Sequence, residues 1–127
     1  MGHPIIDKIV NEGVQAVNVS MLSSTLRGKL MSEAGSILMH QNRFAEAAHA
    51  FALAENKQEL KEHGRWFLEQ HKLGLAALFL LHVEDETFLQ ELAQKCLAVN
   101  EIEPAKQIYE SLHDDIMLSF LRENFKE

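Results

Sequence analysis

Residues 35–54 read GSILMHQNRFAEAAHAFALA. The stretch holds the end of one helix, a tight turn at Gln41-Asn42-Arg43, and a second helix folded back on the first. Its small and large apolar residues are Gly35, Leu38, Phe44, Ala47, Phe51 and Ala54. Moving 29 residues along gives Gly64, Phe67, Leu73, Ala76, Leu80 and Val83, and a further 29 gives Ala93, Cys96, Ile102, Ala105, Tyr109 and Leu112. Size class holds at each step, and alanine recurs at 47, 76 and 105. Self-similarity at a fixed period in this range marks a repeat architecture. A helical hairpin cannot bury its apolar face alone, and stacking such hairpins does so.

A chain of 127 residues has the length of one domain. Nineteen acidic against twelve basic residues leave a formal charge of −7. That balance disfavours nucleic acid and anionic membranes, whose phosphates call for a basic face. The longest apolar run, 73–81, is nine residues with Gly74 inside it, too short to span a bilayer. No basic segment followed by an apolar one opens the chain, and the single cysteine, Cys96, suits a reducing compartment. The expected location is the cytoplasm.

Read in order, the chain predicts about seven or eight helices and no strand. Pro4 starts a helix whose stripe of Ile5, Ile6, Ile9, Val10, Val14 and Val17 runs to about residue 18. Ser23 or Ser24 caps a second, ending near Gln41, with Leu26, Leu30, Met31, Ala34, Ile37 and Leu38 as its apolar face. Asn56 is read as the end of the alanine-rich third helix. Helices over 57–70, 73–83 and 88–99 follow, with Asp85 a candidate N-cap. Pro104 opens another that ends near His113. Asp114 or Asp115 caps a final helix whose Ile116, Met117, Phe120, Leu121 and Phe125 read as a cap on the third hairpin, the alternative being a homodimer contact or a seat for a partner helix. The domain reading is one helical-repeat domain over 1–127: an N-terminal cap or degenerate hairpin at 1–27, three repeats at 28–113 and a capping helix at 114–127.

The repeat resembles the tetratricopeptide family and its relatives. The shared features are a small residue at 35, 64 and 93, a bulkier one three on, apolar residues at 44, 73 and 102, and alanine at 47, 76 and 105. Phe51, Leu80 and Tyr109 complete the pattern, with Ala54 at the family's late alanine. The 29-residue period is shorter than that family's 34 and approaches the hairpin repeats of clathrin- and coatomer-type solenoids. The resemblance covers roughly 28–113. It implies an all-α, right-handed αα-superhelix of about three to four stacked antiparallel helix pairs with capping helices.

Residues able to do chemistry are weighed against their ordinary roles. The seven histidines lie at 3, 40, 49, 63, 71, 82 and 113, and no two are four apart, the spacing that brings two ligands to one helix face. They read as solvated or helix-terminal residues, so no metal or other cofactor is expected. Cys96 shares the register of Leu38 and Phe67 and reads as a buried structural thiol. The acidic clusters at 84–86 and 114–115 sit at helix starts, where they complement the helix dipole. No phosphate-binding glycine loop or nucleophile elbow occurs. Catalysis is not expected.

What remains is binding. The resemblance implies a concave groove lined by the first helix of each pair: Lys29, Ser32, Ser36, Met39 and His40, then Gln58, Lys61, Arg65, Leu68 and Glu69, then Thr87, Gln90, Gln94, Leu97 and Ala98. Some family members clamp a peptide carboxylate with basic residues and asparagine there. Here Lys29, Lys61 and Arg65 supply the basic part, and Ser32 and Ser36 replace the asparagines. Trp66 is added because tryptophan is enriched where interfaces concentrate their energy. Lys29, Met39, His40, Lys61, Arg65 and Trp66 are therefore the candidate contacts for a peptide or helix of another protein, of acidic character. The competing reading of the lysines and arginine is a solvated surface. The alternative function is a structural, self-assembling subunit of a larger helical scaffold using its terminal helices. The expected state of the chain is a monomer or a weak homodimer through its terminal helices.

Overall fold

The computed structural model describes residues 3–125. Residues 1–2 and 126–127, the ends of the two expected caps, lie outside the described residues. Eight α-helices and no strand occur among the described residues: α1 Pro4–Glu12, α2 Ser24–His40, α3 Phe44–Leu53, α4 Lys57–Glu69, α5 Leu73–Leu80, α6 Glu86–Ala98, α7 Ile102–Ser111 and α8 Asp115–Asn124. The chain forms two compact units, Met1–Leu60 and Lys61–Glu127, divided within α4.

The 29-residue period is written into the backbone. Among the described residues, six other than glycine have positive φ: Asn42, Glu55, His71, Glu84, Asn100 and His113, at +55° to +63°. Asn42, His71 and Asn100 are successive repeats of one position, and Glu55, Glu84 and His113 of another. Each follows a helix. A left-handed residue there turns the chain so that the next N–H reaches back to an unsatisfied carbonyl. Thus Arg43 N donates to Leu38 O at 3.0 Å, Lys72 N to Phe67 O at 2.9 Å and Glu101 N to Cys96 O at 2.8 Å. The next helix starts are repeated too. Asn56, Asp85 and Asp114 each accept, through Oδ1, the N–H of the residue three on, at 3.1–3.2 Å. Asn56 therefore opens α4 as its N-cap, and its own N–H closes α3 by donating to Phe51 O at 3.0 Å. Its Nδ2 also donates to Ser32 Oγ at 3.0 Å.

In the first unit, α2 and α3 are antiparallel. Gly28 lies near Ala54 and Gly35 near Phe51, so sequence rises along one helix as it falls along the other. A Cβ on Gly35 would stand 2.7 Å from Phe51 Cε1, and glycine is what lets the fully buried ring lie against the α2 backbone. Two expectations fail in this unit. The first helix stops at Glu12, and a single 3₁₀ turn, Val14–Ala16, follows it. Gly13 takes φ +107°, which no helix accommodates, while its N–H closes α1 on Ile9 O at 2.8 Å. Leu26 and Ile37 are 39% and 38% exposed and not part of the core. They lie roughly 100° around α2 from the middle of the buried stripe of Leu30, Met31, Ala34, Gly35 and Leu38. Arg43 joins α1 to this hairpin by donating to Val10 O at 2.5 Å and to Glu46 Oε2 at 2.6 Å.

In the second unit, a Cβ on Gly64 would stand 2.5 Å from Leu80 Cγ and Cδ2, the counterpart of Gly35 on Phe51. Phe79 lies 5.7 Å from the Phe67 ring and 5.6 Å from the His63 ring, closing α5 on α4. The α5 helix is apolar nearly throughout because it also packs on α6 and α7. It ends at Leu80, short of the expected Val83, and residues 81–84 turn the chain toward Asp85. The α7 helix packs on α6 and α8. Leu89, Leu92, Ala93, Cys96, Ala105, Ile108, Tyr109 and Leu121 fill the space between them.

Candidate interaction surface

The six candidate contacts divide between the units, three in each. In the first, Lys29 and His40 are exposed on α2 and Met39 is half-buried. His40 lies eleven positions past Lys29 and returns to nearly the same helix face about 16 Å along the axis. His40 Nδ1 lies 2.8 Å from Ser36 O, so it closes the last turn of its own helix.

In the second unit, α4 directs Lys61 and Arg65 toward α6. Lys61 Nζ stands 3.7 Å from Asp85 Oδ2, with both side chains partly open to solvent. Arg65 Cζ lies 5.8 Å from the centre of the Phe88 ring, within reach of a cation–π contact. Asp85 thus caps α6 and also holds Lys61. A surface pair of this kind is worth about 0–1 kcal/mol, little enough for a ligand carboxylate to displace it. Glu62 and Glu69 lie between these cations and Trp66 around the helix, so the outward face of α4 is mixed in charge. Trp66 is 53% exposed, with one edge against Phe67 at 5.2 Å. Leu68 is buried and does not line a groove.

The remaining chemical groups are dispersed. Cys96 is fully buried, and burial, helped by the Glu101 carboxylate, pushes its thiol up to about 11. A thiol so protonated is a poor nucleophile at neutral pH. Among the described residues, no three of His, Cys, Asp and Glu gather closely enough to hold a metal ion. No helix among them is long and apolar enough to cross a membrane.

Sequence reasoning favours α8 as a cap, with a homodimer contact or a partner helix on its apolar residues as the alternative. The expected cap buries only Leu121 fully, while Ile116 is 83% exposed, Phe120 47% and Phe125 38%. The register held the clue. Phe120 follows Glu33, Glu62 and Glu91 at intervals of 29, and Ile116 follows Lys29, Gln58 and Thr87. No family model, curated protein or solved structure matches this chain.

Proposed function

We propose that this chain is a non-catalytic binding module of the helical-repeat kind, taking a peptide or helix of another protein on the outward face of its first-position helices. The observation that carries the reading is Trp66. A tryptophan more than half exposed, braced by Phe67 and next to an arginine stacked on Phe88, offers rigid apolar area at low entropic cost. The dispersed histidines and the buried Cys96 thiol support binding over catalysis. On this reading the hairpins belong to a right-handed αα-superhelix of tetratricopeptide-like type, working in the cytoplasm.

The test is capture from an extract of the source cell, with wild-type chain compared against Trp66→Ala and Lys61→Glu/Arg65→Glu. Loss of a defined partner from both variants, with circular dichroism unchanged, supports the reading. An identical catch from all three chains overturns it.

A further inference from the structure

Exposure on α8 has two separate origins, and the repeat register tells them apart. Phe125 follows Leu38, Phe67 and Cys96, each buried in its hairpin. A second helix folded back on α8 would cover that position. Ile116 and Phe120 are different. Their predecessors Thr87 and Glu91 on α6 are exposed although α7 and α8 follow them in the same unit. So is Glu62, with α5 and α6 following. Another hairpin added by the same rule would leave Ile116 and Phe120 in solvent. Their apolar character has no use in the repeat's own packing.

The surroundings point to what would cover them. Ile116 and Phe120 stand one turn apart on the same side of α8, with the small Ser119 and then Glu123 on that side too. Ile116 and Leu112 form the apolar part of a cleft of about 420 Å³ whose polar lining is Glu86, Gln90, His113, Asp114 and Asp115. That volume suits a long side chain. The basic residue of α8, Arg122, is two positions past Phe120 and so about 200° around the helix. Glu91, one turn along α6 from the cleft, has Lys95 at 3.9 Å. The face is therefore an apolar pair rimmed by carboxylates. A second copy would set two acidic rims against each other, which like-charge repulsion opposes.

We propose that the α6–α8 face docks a basic amphipathic helix of another protein. Its apolar side would cover Ile116 and Phe120, and one lysine or arginine would enter the cleft between Glu86 and Asp115. This is the helix-on-groove mode of recognition, with anchors one turn apart. It stands independently of any ligand on α4.

The test uses the full chain and two labelled synthetic helices. Both carry leucines at one-turn spacing; one has lysine and the other glutamate on the polar side. Ile116→Thr/Phe120→Glu installs the residues α6 carries in the same register, so α8 keeps its fold, which circular dichroism checks. Fluorescence anisotropy should show the lysine helix binding wild type, with affinity falling at least tenfold in the double variant and several-fold in Glu86→Gln/Asp115→Asn. The glutamate helix should not bind. The double variant is more acidic than wild type, so attraction by net charge alone would not weaken. Equal binding of the lysine helix by wild type and the double variant overturns the proposal. So does concentration-dependent dimerisation of wild type, lost in the double variant, without peptide binding; the occupant would then be a second copy.

Discussion

Positions 35, 64 and 93 hold glycine, glycine and alanine, whereas positions 33, 62, 91 and 120 hold three glutamates and then phenylalanine. The first series lies on the seam inside each hairpin and the second on the outward side of the same helices. At Gly35 and Gly64 a facing side chain comes within 3 Å of where a Cβ would stand, so shape decides which residue can be there. Outside, the requirement is compatibility with water, which many side chains meet, and identity is free to follow binding. The seam is therefore where the repeat is kept, and the outward face is where one copy can depart from the others.

The strongest way to break this contrast is Phe51→Ala. Emptying a fully buried ring should cost about 3–5 kcal/mol, while Glu91→Ala on the outward side should change stability by less than about 0.5 kcal/mol. Urea unfolding measures both, and comparable losses would end the distinction. Gly64→Ala comes next. Overpacking against Leu80 should cost about 1–3 kcal/mol and the gain in helix propensity should return about 1, leaving a modest net loss. Pairing it with Leu80→Ala should show less than additive damage. Full stability in Gly64→Ala would mean that Leu80 swings aside and that the seam is not shape-limited.

Two smaller changes sharpen the account of the turns between helices. Asp85→Ala should lose about 1 kcal/mol, and Asp85→Asn should retain most of it, because an amide oxygen caps α4 at Asn56 in the same way. If both variants lose equally, the Lys61 pair and not the cap is what matters. Glu84→Gly should be the mildest and of opposite sign. Glu84 sits at φ +62°, where glycine bears no steric penalty, so a stabilisation of up to about 0.5 kcal/mol should appear as a raised thermal midpoint. A loss would mean that the Glu84 side chain has a role that outweighs its backbone strain.

Much of this was legible beforehand. The turns at 41–43, 71–72 and 100, the caps at Asp85 and Asp114, and the buried Cys96 all follow from residue type and spacing. The helix ends were harder, because none of the six left-handed residues is glycine. Asn56 reads in the sequence only as the end of α3, which its N–H does close on Phe51 O; that its side chain also begins α4 is missing from that reading. The candidate cations were named, but their engagement with Asp85 and Phe88 was not foreseeable, since it joins side chains more than twenty residues apart. The apolar residues of α8 were recognisable as an alternative contact surface, but the cap was favoured because the same residues also fit a capping helix.

Periodicity alone is enough for the helices, their pairing into hairpins and the seam residues, because each depends on spacing and size within one or two turns of chain. Which side chains on the outward faces meet a neighbour and which meet water depends on how successive helices are set against one another. Small shifts of packed helices change that, and no local pattern records it. That is why only the tertiary structure brought Lys61 beside Asp85, whereas the open setting of Ile116 and Phe120 follows the exposed positions they repeat.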